Sequence, residues 1–166
     1  MTKKLLAAFL LTTALVSAGC GDDHPEEEGV DAEACEHLQN GPATSVFAWP
    51  GTNNPPSEIH ADHRRYDITL MSGPDGNSGF VLFAASEAAD YVIYTNADVP
   101  LSITTASGEA VDIEESTSSS RGCTDIKGRH VVPLTVGTHY LTFGPTSVAT
   151  VGVLVEESHG GHGHEH

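Results

Sequence analysis

The sequence predicts an all-β protein, an antiparallel β-sandwich of about eight to nine strands, and three observations predict it. Short segments that are apolar or alternate in polarity recur about every ten residues. Clusters of Gly, Pro, Asn and Ser separate them, and no helical periodicity runs for more than a few turns.

The elements follow in order. "SVFAW" (45–49) is the first strand, and the Pro/Asn loop "PGTNNPPSE" after it disfavours helix. "HRRYDITLM" alternates, with Tyr66, Ile68 and Leu70 on one face and Arg65, Asp67 and Thr69 on the other. "SGPDGNSG" carries turn chemistry around Asp75-Gly76, and "FVLFAA" returns from it as the partner strand. "DYVIYTNAD", "VPLSITTA" and "EAVDIEES" come next, and "STSSSRGC" is a loop. "RHVVPLTV", "THYLTFG" and "VATVGVLVEES" complete the set. The folded domain therefore spans residues 35–157, with one helical turn expected over Ala32–Leu38 around Cys35. Residues 20–34, nearly all acid, Gly and Pro after the cysteine, read as a flexible tether that can bury no core. Residues 158–166 form a His-rich tail.

The first 19 residues have the build of an export signal: Lys3 and Lys4, then an apolar run from Leu5 to Ala18 too short for a comfortable membrane span. The stretch Val16-Ser17-Ala18-Gly19-Cys20 resembles the bacterial lipoprotein signal class, with Ser17 where that pattern most often has leucine. The resemblance implies cleavage before Cys20 and lipid attachment to it. It further implies a protein held in the bacterial cell envelope, with Gly21 favouring the outer membrane. The segments "AADYVIYTNADVPLSI" and "VGTHYLTFGPTSVATVGVLVE" resemble the paired strands of small secreted jelly-roll or immunoglobulin-like modules. That likeness implies the fold alone.

Two of the seven basic residues leave with the signal, so 23 acidic side chains face five basic ones. Such a surface argues against nucleic acid or anionic membrane as a direct partner and suits cations. With Cys20 lipidated, Cys35 and Cys123 remain as an even pair in an exported chain, and a disulfide between them is expected. The competing reading makes them thiolate metal ligands, although neither sits in a Cys-x-x-Cys pair.

No nucleophile motif, phosphate-binding glycine loop or His-Glu-x-x-His sequence is present, so the expected function is not enzymatic. Histidine is the unusual feature. All ten follow the signal, and four of them, His159, His162, His164 and His166, stand in the last eight residues with only Gly and Glu between them. Neutral imidazole ligates zinc, copper and nickel, the glycines let the tail wrap an ion, and Glu156, Glu157 and Glu165 add oxygen donors. A second candidate cluster is "EIHADHRRYD", where His60 and His63 converge only if the chain turns between them, because residues three apart on a strand face opposite ways. His37, beside Cys35 and Glu36, is a further candidate ligand. His130 and His139 flank the Gly137 turn, either facing across a hairpin or decorating its surface, and decoration is the reading preferred. The sequence thus predicts a lipid-anchored envelope protein that binds zinc, copper or nickel without needing the metal to fold. Its expected partners are the membrane, metal ions and a metal transporter or other envelope protein. The alternative is a structural or adhesive surface module with an incidental tail.

Overall fold

The computed structural model describes residues 25–49, 56–120 and 122–158. Cys20, His24 and the four tail histidines lie outside the described residues. Among the described residues, twelve strands form two facing sheets, and one helix covers part of the outside.

The helix, α1 (Pro25–Asn40), replaces most of the expected tether and extends the single turn expected around Cys35. Two local features explain the correction. Pro25 takes the first helical position, where its missing N–H has no intrahelical partner to lose. Val30, Ala34 and Leu38 recur at four-residue spacing and make one apolar stripe. That stripe packs on Val92, Tyr94, Ile126 and Leu154 and forms a small second core outside the sandwich. Gly41 closes the helix, its N–H donating to the His37 carbonyl at 3.0 Å. A Cβ there would sit 2.5 Å from the same oxygen, so only glycine fits.

The first sheet runs β1 (Ala43–Phe47), β3 (Arg65–Thr69), β12 (Thr150–Ser158), β6 (Ala89–Thr95), β10 (Gly128–Leu134), β9 (Glu115–Thr117) in spatial order. The second runs β2 (Glu58–Ile59), β5 (Gly76–Ala85), β11 (Gly137–Thr146), β7 (Leu101–Thr105), β8 (Ala110–Val111), with β4 (Met71–Gly73) also paired to β5. The sandwich agrees with expectation, but the sheets are mixed: β1 lies parallel to β3, and β2 parallel to β5. The strand count exceeds expectation because β2, β4, β8 and β9 are only two or three residues long. In the β4–β5 hairpin Gly73 faces Gly76, which puts Pro74-Asp75 at the turn, one residue before the pair expected there.

The core lies between the sheets. Tyr66, Ile68, Val132, Val151, Val153 and Val155 meet Ile59, Val81, Phe83, Ile103, Leu141 and Phe143 across it. Strands with one wet face alternate, as in β3 and β5, where Tyr66, Ile68, Val81 and Phe83 point inward. β6 and β12 are buried on both faces because α1 covers their outer side, which is why "YVIYT" and "VGVLV" are apolar almost throughout.

Cys35 and Cys123 form the expected disulfide, with Cα atoms 5.7 Å apart. It fastens the middle of α1 to the loop before β10. Beside it Asp31 accepts from Tyr94 Oη at 2.7 Å, Ser120 Oγ at 2.6 Å and Arg129 Nε at 3.0 Å. Burial, together with the Asp31 carboxylate, pushes the Tyr94 hydroxyl far above its ordinary range. For Arg129, burial pulls the other way, but Asp31, Tyr94 and Glu115 outweigh it and hold the guanidinium more firmly charged.

Candidate metal centre

α1 carries Glu33 and His37 one turn apart, so both side chains rise from one stretch of its surface. The neighbouring positions Ala34 and Leu38 are the ones that dock on the sheet. Docking therefore fixes the rotation of the helix and holds Glu33 and His37 at the rim of the buried face. β12 supplies a third group: Leu154 and Glu156 are two apart on a strand and share the face that α1 covers. The fourth comes from the bend before β3, where His63 adopts φ +56°. A left-handed conformation at a non-glycine residue costs on the order of 1 kcal/mol or more and marks a position that the surroundings dictate.

Glu156 is the floor of the cluster, only 5% exposed. His37 Nδ1 is hydrogen-bonded to its Oε1 at 3.3 Å, and His63 Nδ1 lies 3.0 Å from its Oε2. Where His37 donates from Nδ1 to this carboxylate, which can only accept when ionised, its Nε2 lone pair is left for another electrophile. The two rings meet edge to face with centroids 5.3 Å apart. Glu33 stands at the mouth, its Oε1 3.6 Å from His63 Nδ1. One ligand atom from each of Glu33, His37 and His63 lies within 4.8 Å of the others, a spacing that a single ion can bridge. The mouth is open: the side chains of His63 and Glu33 are 60% and 57% exposed, that of His37 22%.

Two imidazoles and one carboxylate make a borderline donor set suited to zinc, copper or nickel, and three protein ligands leave at least one coordination position free. Glu156 beneath them is placed as carboxylates are behind metal-bound histidines, where they fix tautomer and ring direction. A buried carboxylate also needs compensating positive charge, which a cation held by the two imidazoles would supply.

Of the candidates read from sequence, His63 is in the cluster and His60 is not. The turn at His63 sends its ring toward α1, whereas His60 stays beside Glu58 at 3.9 Å, both about half exposed. The pairing of those two histidines is therefore replaced by one between His63 and His37. Cys35, between Glu33 and His37, is committed to the disulfide and so is not a thiolate ligand. Glu33 escaped the sequence reading as a ligand altogether, and Glu156 was counted only with the tail. The readable signal was the Glu33-x-x-x-His37 spacing, which places two donors on one face once the segment is helical.

Comparison with known protein families finds no model that matches the chain, and comparison with curated proteins finds no match either. Function must therefore be argued from the residues.

His130 and His139 neither decorate a hairpin nor face each other. They sit in different sheets and are 8% and 2% exposed. His130 Nδ1 lies 2.8 Å from Ser116 Oγ, while its Nε2 and His139 Nδ1 are buried without a hydrogen-bond partner. Burial lowers the proton affinity of both, opposed by Asp98 for His130 and by the Gly137 backbone for His139. The unfolded chain therefore binds more protons than the folded one from about pH 6.5 down to the lowered folded values, so stability falls with pH through that window. Denaturant midpoints at pH 7.5 and 5 are expected to show this loss, and it should shrink in His139→Phe. An unchanged pH dependence in that variant would assign the loss to other groups.

Proposed function

We propose that the protein binds a divalent transition metal, zinc, copper or nickel, at the cell envelope. The folded centre is formed by Glu33, His37 and His63, with Glu156 behind the two rings. The observation that carries this reading is the convergence of both imidazoles on one buried carboxylate, with an exposed glutamate at the open side. An exposed centre exchanges its ion more readily than a buried one, which suits buffering or delivery to a transporter. The Cys35–Cys123 disulfide fits an oxidising compartment, and a lipid on Cys20 would hold the protein there. Replacing Cys20 by Ser is expected to move the protein from the membrane to the soluble fraction; retention as before would refute the anchor.

Zinc titration against a competing chelator tests the centre, using a chain that ends at Ser158 so that the tail does not contribute. One saturable site is expected, weakened at least about 100-fold by H37A/H63A and about 10- to 100-fold by E156Q. Equal affinity in H37A/H63A would refute the proposal.

A further inference from the structure

The Cys35–Cys123 disulfide leaves α1 at the level of the candidate ligands, since Cys35 falls between Glu33 and His37 in the chain. We propose that this bond is a redox control on the folded centre: reduction by a dithiol loosens the turn of α1 that carries Glu33 and His37 and releases the metal. This rests on the proposed metal centre and adds its regulation.

The helix is organised about its docked stripe, and successive residues turn by about 100° round its axis. Glu33 and His37 each precede a residue of the stripe, Ala34 and Leu38, whereas Asp31 and Cys35 each follow one, Val30 and Ala34. The two pairs therefore lie on opposite flanks. One flank is fastened: Asp31 to Tyr94, Ser120 and Arg129, Cys35 to Cys123, and Gln39 Nε2 to Asp125 Oδ2 at 2.6 Å. The other presents its donors to His63 and Glu156. Asp31 holds the turn before the donors, and the Gln39 contact is exposed, so the covalent bond fixes the helix at their own level. Donor–metal distances in a working centre hold to within about 0.2 Å, so a small rotation of α1 is enough to weaken it. Cys35 is no ligand in waiting. It stands about 200° round the axis from each donor, which directs its sulfur to Cys123 and away from the ion.

Cys35 is half-buried and Cys123 buried, so a dithiol meets the Cys35 sulfur first. One of its thiolates attacks that sulfur, the Sγ–Sγ bond breaks, and Cys123 leaves as a thiolate and takes a proton. The second thiolate of the dithiol attacks the mixed disulfide, displaces Cys35 and closes the reductant into its own disulfide. Two electrons pass to the protein, and the two protons of the dithiol end on the two cysteines.

Zinc affinity, read against a competing chelator, tests this in the chain whose four tail histidines are replaced by alanine, so that the tail supplies no ligand. The forms compared are the oxidised chain, the chain reduced and then freed of reductant without air, and C35A/C123A. Both forms without the bond are expected to bind zinc at least about 10-fold more weakly than the oxidised chain. By reciprocity, saturating zinc shifts the thiol–disulfide equilibrium toward the disulfide by the same factor, a shift that H37A/H63A removes. Hydrogen exchange of the reduced, metal-free chain separates local loosening from unfolding: α1 loses protection while β6, β11 and β12 keep it. Equal zinc affinity in the oxidised and C35A/C123A forms overturns the inference. Tighter binding by the reduced chain than by C35A/C123A also overturns it, since the thiols would then be ligands. So does loss of protection throughout the sandwich, because metal release would then be unfolding. If the oxidised chain binds zinc no better than its H37A/H63A variant, the centre itself is refuted, and that outcome is read with the bond intact.

Discussion

Removing the Cys35–Cys123 disulfide, by reduction or as C35S/C123S, is expected to lower stability by about 4 to 5 kcal/mol, roughly a thousandfold in the folding equilibrium. The bond closes a loop of 88 positions, and most of its effect lies in the unfolded chain, whose freedom it restricts. The folded domain loses little packing by comparison, because the sandwich core between the sheets does not include either cysteine. α1 should loosen first. Its own contact with the sheet includes three apolar side chains, Val30, Ala34 and Leu38, the hydrogen bonds of Asp31, that of His37 with Glu156, and that of Arg65 with the Leu38 carbonyl. Denaturant unfolding with and without reductant measures the difference, and a shift under about 1 kcal/mol would show that the helix is held without the bond.

Asp31→Ala is expected to cost about 3 to 5 kcal/mol, the range for removing one member of a buried charged network. One carboxylate here satisfies a phenol, a hydroxyl and a guanidinium at 2.6 to 3.0 Å. Tyr94 is fully buried, and the Arg129 side chain is 7% exposed, so neither group recovers water when Asp31 is removed. Arg129 keeps Glu115, whose Oε1 lies 3.2 Å from its Nη1, so part of its charge stays compensated. Asp31→Asn, which keeps an acceptor but removes the charge, should fall between the alanine variant and the parent. If the alanine variant unfolds within about 1 kcal/mol of the parent, the cluster is ornamental.

The sandwich was legible where side chains alternate or where a strand is apolar throughout. Tyr66, Ile68 and Leu70 were placed on one face and are all buried together. The segment "FVLFAA" falls on the second part of β5, whose first four residues read as turn, and "DYVIYTNAD" falls on β6, which ends at Thr95. The helix was mostly illegible because its apolar stripe is three residues long and lies among acids and glycine, the composition of a solvated linker. Only the sheet's outer face, which no local pattern announces, makes those three residues a docking surface. The cluster of Glu33, His37 and His63 was half legible for the same reason. His37 and His63 were each visible as candidate ligands, but their meeting depends on how α1 crosses β12 and on a left-handed residue at His63. Neither can be computed from spacing. The buried pair His130 and His139 was misplaced because histidine reads as polar, whereas β10 and β11 bury it on their inner or paired faces.

The position of β12 bears on when this chain can become a protein. It is the last of the described strands in chain order, yet it lies between β3 and β6 in the middle of its sheet. A growing chain that has reached residue 149 holds two fragments of that sheet, β1 with β3 and β6 with β10 and β9, and no strand to join them. The other sheet already has all its strands by Thr146. Long-range pairing of this kind is slow to form and cannot begin before the partner emerges. The sheet therefore cannot close until residues 150–158 have been made. Glu156, on the closing strand, joins His37 and His63 only at that step, so this cluster and the completed sheet form together.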